Sequence, residues 1–122
     1  MPILTVDLVA DELHAPEHNL AQSLADAVGR ALDSPPGQTW VRLRLIGRNQ
    51  YAENESTTAA ADWPVFVTVL KQQVPVGPEL QAEVTALTRI IAQVIGRAAA
   101  CVHIEYAPAA AGRVSFGGKL VQ

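Results

Sequence analysis

The feature that most constrains this chain is a repeat. The run Pro2-Ile3-Leu4-Thr5-Val6-Asp7-Leu8 returns as Pro64-Val65-Phe66-Val67-Thr68-Val69-Leu70, 62 positions later. A second pair of runs, Trp40 to Ile46 and Val102 to Tyr106, starts at the same separation of 62. Short runs rich in β-branched residues read as strands, and a fixed internal period means that one supersecondary unit is used twice. A helical segment lies inside each half. Leu20, Leu24, Val28 and Leu32 form one apolar stripe, with a start expected at Pro16, where Glu17 suits the positive end of the helix dipole. Leu80, Val84, Leu87, Ile91, Val94 and Ile95 form the other, starting near Glu79.

The chain therefore reads as β-α-β twice, in halves 2–48 and 64–107 of a single domain 1–122. A loop from Tyr51 to Asp62 joins the halves, and a C-terminal segment 108–122 follows. Right-handed crossovers make the two strands within each half parallel. The predicted fold is α/β of the α+β kind: a four-stranded mixed sheet with both helices on one face. Two helices leave the other face open. Val65, Val67 and Val69 alternate with Phe66 and Leu70, so both faces of the third strand call for burial. Exposed apolar surface of that extent marks a subunit contact, and a closed ring satisfies it best.

Bulk properties exclude several classes. Hydrophobic residues make up 49% and charged ones 17%, which fits a globular chain. A net charge of −3 argues against a nucleic-acid surface. The single cysteine, Cys101, excludes an internal disulfide framework and fits a reducing compartment. Asp7 comes too early for the apolar core of a signal peptide. No stretch approaches the ~20 apolar residues of a membrane span. The expectation is a cytoplasmic protein without membrane or nucleic-acid partners.

Two motif matches are weak. His14-Ala15-Pro16-Glu17-His18 has the spacing of an inverted zinc-peptidase motif, but Pro16 puts His14 outside the helix. Gly112 to Lys119 resembles a phosphate loop with the wrong spacing and with Leu120 in place of Ser or Thr. No metal and no cofactor is expected.

An initiator Met followed by Pro2, a β-α-β repeat and this length together resemble the tautomerase superfamily, which includes 4-oxalocrotonate tautomerase, macrophage migration inhibitory factor and the chloroacrylate dehalogenases. Leu32-Asp33-Ser34-Pro35 with Val41-Arg42-Leu43 is similar to the turn and following strand of the short tautomerases, where the arginine binds the substrate carboxylate. Val102-His103-Ile104-Glu105-Tyr106 and Gly112-Arg113-Val114-Ser115-Phe116 are similar to the end of the cytokine-like members. That match places His103, Glu105, Val114 and Phe116 on the active-site wall. There are departures: Ala10-Asp11-Glu12 stands where the short members carry a second arginine, and Ser34 stands where the cytokine-like members carry a lysine. The resemblance implies a homotrimer whose working group is the amino-terminal proline.

The chemistry can also be read from the residues. Aminopeptidases normally trim Met before a small residue, and if Met1 is removed the Pro2 nitrogen becomes a free amine. An α-amine titrates near pH 8, and desolvation lowers that value. An amine poised near neutrality is an efficient general base. Pro64 starts the equivalent strand but is an internal amide, so only Pro2 offers a titratable nitrogen. Arg42 and Arg44, two apart in a strand, share a face and suit capture of a carboxylate, or an ion pair between subunits. Lys71 ends the third strand as a further cation or a solvated lysine. His103 and Glu105 share a face and suit either activation of a water or a bond to each other. Tyr51 lies in a loop long enough to cover a pocket, and Phe116 suits an apolar wall.

Three functions follow as expectations. The first is a cofactor-independent keto-enol tautomerase of a 2-oxo or 2-hydroxy-dienoic acid, with Pro2 as base and Arg42 beside it. The second is a hydratase, dehalogenase or decarboxylase of a small unsaturated or 3-oxo acid at the same site. The third is a non-catalytic trimeric binding scaffold.

Overall fold

Alternating apolar residues build four strands: β1 (Ile3–Val9), β2 (Trp40–Ile46), β3 (Val65–Leu70) and β4 (Val102–Tyr106). The structure, a computed structural model, describes all 122 residues. β1 and β2 run parallel from Ile3↔Trp40 to Val9↔Ile46, and β3 and β4 run parallel from Val65↔Val102 to Val69↔Tyr106. β1 and β3 are antiparallel through Val6↔Val67. The sheet order is β2-β1-β3-β4, so the two β-α-β units meet at the central pair.

Helices α1 (Leu20–Ala31) and α2 (Gly77–Ile95) cover one face. Beneath them Leu4, Val6 and Leu8 of β1 and Val65, Val67 and Val69 of β3 are at most 1% exposed. Leu24, Val28, Leu87 and Ile91 close the core from above. Each such side chain contributes about 1.5–3 kcal/mol on burial, and this drives the helices onto the sheet.

Both helices start away from their sequence-based positions. Asp11 caps a short 3₁₀ turn at Glu12–His14, and Leu20 N–H closes a separate turn on the Glu17 carbonyl (3.1 Å). Pro16 falls between these turns, so α1 begins four residues later than expected. In α2 the proline of the first turn is Pro78, which extends the helix back to Gly77. The helix ends at Gly96, whose φ of +83° lets its N–H reach the Ala92 carbonyl at 2.8 Å.

The open face differs in character from the apolar surface expected of it. It carries Thr5 and Asp7 of β1, Arg42 and Arg44 of β2, Thr68 of β3, and His103 and Glu105 of β4, with Trp40 and Phe66 among them. Only part of it is aromatic or aliphatic; the rest is charge and hydroxyl. No helix is long and apolar enough to cross a membrane.

Candidate active site

Pro2 enters β1 at the end of the sheet where α1 hands over to β2. Its carbonyl accepts the Trp40 N–H at 3.0 Å, which fixes it beside the start of β2. On its other side β3 arrives antiparallel. Continuing the register one step past Ile3↔Leu70 sets Lys71 next to Pro2. Pro2 is buried, and Met1 before it is partly exposed.

Two cavities meet at Met1. The first, about 420 Å³, is lined by Pro2, Lys71, Asp33, Ser34 and Gln38. Its rim is the turn after α1, where Asp33 adopts φ +53°, a left-handed conformation that Asp tolerates better than most residues. The Ser34 N–H returns to the Gly29 carbonyl at 2.8 Å and secures that turn. The second cavity, about 250 Å³, is apolar and lined by Met1, Ile3, Gln38, Trp40 and Phe116. Trp40 and Phe116 meet edge-to-face with centroids 5.3 Å apart, and the indole N–H donates to the Gly37 carbonyl (3.0 Å).

Phe116 is delivered by a C-terminal hairpin of β5 (Ser115–Phe116) and β6 (Lys119–Leu120). Gly117 and Gly118 both have positive φ, as a two-residue hairpin loop of this kind requires. Val114 anchors the hairpin: its carbonyl accepts the Val121 N–H at 2.8 Å. Val114 lines neither cavity.

Lys71 is only 19% exposed in its side chain. Its ammonium donates to Glu83 Oε1 of α2 at 2.7 Å, and the other oxygen of Glu83 accepts the Tyr106 hydroxyl at 2.5 Å. Burial, with Glu83 beside it, pushes the Tyr106 hydroxyl pKa well above the usual phenol range.

The remaining candidates lie elsewhere. Arg44 forms a two-pronged pair with Asp7 (2.7 and 3.0 Å), and Arg42 donates to Thr5 Oγ1 (2.8 Å). Both stand on the open face, and neither lines a cavity at Met1. Glu105 accepts a bond from Thr68 Oγ1 at 3.2 Å, one step across the same face. His103 packs on Phe66 (5.7 Å), and Phe66 on Tyr51 (6.0 Å). Tyr51 donates to Glu53 at 2.5 Å, a bond that, helped by burial and the carboxylate charge, pushes its pKa up to about 12. The same bond, with one from Thr58 and the nearby His103, holds the Glu53 carboxyl below its ordinary value. This cluster borders a third cavity, about 390 Å³, with Arg48, Tyr51 and Trp63 in its wall, at the opposite end of the sheet from Pro2.

The structure thus places Pro2 and Lys71 in the wall of one cavity and Phe116 in that of the adjoining one, and the other candidates line neither. Sequence reasoning missed Glu83 and Gln38. Asp33 and Trp40 were visible, as part of Leu32-Asp33-Ser34-Pro35 and beside Arg42. Nothing in the sequence singles out Glu83, whose role depends on how α2 lies over β3 and β4.

No family model matches the sequence, and no curated protein does. Solved structures match the fold. A symmetric trimer of fused 4-OT is 17% identical, with a TM-score of 0.72 over 98% of this chain and 94% of that one. Macrophage migration inhibitory factor from Oncomelania hupensis is 20% identical, with 0.73 over 100% and 83%. Pt0534 inactivated by 2-oxo-3-pentynoate is 15% identical, with 0.71 over 97% and 95%. The chain has the fold of the tautomerase superfamily.

Proposed function

We propose that this chain is a cofactor-independent tautomerase of a small 2-oxo or 2-hydroxy-dienoic acid, with the secondary amine of Pro2, freed by removal of Met1, as general base. The observation that carries this reading is that Met1, the residue before Pro2, lines both a cavity holding a cation and an adjoining apolar one. Removing Met1 converts the Pro2 nitrogen from an amide to an amine and opens it to both. Burial then favours the uncharged form. From the enol, the amine takes the 2-hydroxyl proton, the electron pair passes through the enolate or dienolate, and the proton is delivered to carbon as the 2-oxo group forms. Lys71 meets the carboxylate as a compact point charge, and Trp40 and Phe116 take the apolar remainder.

The fused 4-OT structures are trimers, which supports a homotrimer here. In that ring the open face meets other chains, and Arg42 serves the Pro2 cavity of a neighbour. Arg44, Tyr51, His103 and Glu105 lie on or beside the same face and line the neighbour's site with it. The working compartment is the cytoplasm, where Cys101 stays a free thiol.

Pro2→Ala tests the reading. Ketonisation of phenylenolpyruvate or 2-hydroxymuconate should fall by ~10²-fold or more, the usual worth of a positioned base. An unchanged rate sinks any proline mechanism.

The local charges favour a second reading at the same site. Lys71 is already neutralised by Glu83, and Asp33 stands at the rim. Within one chain the sum around Pro2 is negative; where no neighbour's arginine offsets it, that charge holds a proton on the amine and makes it an acid for hydration, dehalogenation or decarboxylation. Alkylation of Pro2 by 2-oxo-3-pentynoate, followed by mass against pH, separates the two. A midpoint below about 7 supports the base and one above about 9 the acid, on either side of the ordinary amine value.

A further inference from the structure

We propose that Glu83, braced by Tyr106, is a positioning residue that fixes the Lys71 ammonium at the wall of the Pro2 cavity, in the orientation that receives a carboxylate. The inference rests on Pro2 as the working group and adds to that site two residues from the second half of the chain.

A lysine on a flexible four-carbon stem is a poor anchor unless something holds it. Here three elements do so. Lys71 leaves the end of β3, Glu83 reaches down from the second turn of α2, and Tyr106 comes from the end of β4. The Lys71–Glu83 contact of 2.7 Å uses one of three N–H donors and leaves two for a ligand. Glu83 cannot swing away, because the Tyr106 hydroxyl holds its second oxygen at 2.5 Å. Glu83 is 15% exposed and Lys71 19%, so solvent competes little with either bond. The raised Tyr106 pKa keeps the hydroxyl a donor through the physiological range. Asp33, from the turn after α1, is the other charged group lining the cavity beside Lys71.

An ion pair that only braced the fold would affect stability alone. A positioning pair affects where the carboxylate sits, and misplacement of a substrate by about 1 Å costs up to ~10²-fold in rate. Glu83→Ala also removes the carboxylate that competes with the ligand for Lys71. Affinity should therefore hold while reaction at Pro2 slows.

Two measurements on Met1-processed protein test this. The Lys71 Nζ resonance is followed by NMR while 2-oxobutanoate, a carboxylate that does not alkylate Pro2, is titrated in. The rate of Pro2 alkylation by 2-oxo-3-pentynoate is read by mass. Wild type should show a restrained ammonium signal that moves with 2-oxobutanoate. Glu83→Ala should lose the restrained signal, keep the Kd within about threefold, and alkylate at least ~10-fold more slowly. Glu83→Gln, which keeps an acceptor oxygen in place, should recover most of that rate, and Tyr106→Phe should fall between. The proposal is overturned if 2-oxobutanoate leaves the Lys71 signal of wild type unmoved, or if Glu83→Ala alkylates at the wild-type rate. Should Pro2 resist alkylation in every variant, the proline reading fails by itself. Positioning is then decided by whether Glu83→Ala abolishes the restrained, ligand-responsive ammonium.

Discussion

Tyr51 and Tyr106 are the only tyrosines in the chain, and each donates its hydroxyl to a carboxylate, Glu53 in one case and Glu83 in the other. Both phenols are raised, Tyr51 to about 12 from an ordinary value of 10.0 and Tyr106 further. A raised pKa in the fold means that the folded chain holds its proton more tightly than the unfolded one. The stabilisation is complete below the unfolded value near pH 10 and is lost as pH rises through about 12. Tyrosinate absorbance should therefore stay low at pH 10, where a free phenol is half ionised. Glu53→Gln should return one tyrosine toward 10, and a wild-type titration with half of the tyrosine ionised at pH 10 would refute the bonds. At this scale the sequence was legible where chemistry follows from position: Pro2 as a potential amine, and Arg42 and Arg44 on one face by period two. It was not legible where partners come from distant elements. Lys71 has two accounts by sequence, solvated or functional, and only the approach of Glu83 from α2 makes it a held cation.

At the scale of elements, two glycines in the helical segments should answer the same substitution with opposite signs. Gly96 ends α2 at φ +83°; an added Cβ meets nothing within 4 Å, so the cost of alanine there is purely that of the left-handed backbone. Gly96→Ala should destabilise by about 1–2 kcal/mol. Gly29 lies inside α1, and its added Cβ would sit 3.5 Å from Thr39 Oγ1, an ordinary contact. Gly29→Ala should stabilise by about 0.5–1 kcal/mol through helix propensity. Denaturant midpoints measured side by side check both, and a common sign would show that the Gly96 turn rearranges. The same distinction explains which elements could be read. Periodicity marked the four strands and both helix stripes, because burial against one face imposes it. Ends were less readable, since Pro16 and Pro78 carry the same local signal and only the turns around Pro16 make it a loop residue. The β5–β6 hairpin was hidden because its Gly117-Gly118 loop is flanked by strands of two residues each, too short to show alternation.

For the whole molecule, the question is whether one chain contains a complete site. Lys71 and Phe116 reach the neighbourhood of their own Pro2, but Arg42 is turned onto the open face and bonded to Thr5. The register row Arg42–Thr5–Thr68–Glu105 crosses the entire sheet, so Arg42 and Glu105 mark opposite edges that one chain cannot bring together. Both outer strands also leave one row of backbone groups unpaired within the chain, which favours association along those edges. In a closed ring the contact is heterologous, and in the ring proposed above each Pro2 cavity meets a different chain's open face. Light scattering should therefore give the mass of three chains, and the apparent Tm should rise with protein concentration. Complementation tests the shared site directly. Pro2→Ala and Arg42→Ala chains are each nearly inactive alone, and the two are unfolded together and refolded as a mixture. If Arg42 serves a neighbour, sites pairing an intact Pro2 with an intact Arg42 from the next chain form at random. An equal mixture then recovers about a quarter of wild-type activity. If Arg42 acts on its own chain's Pro2, no mixed ring contains a complete site, and activity stays at the level of the parents.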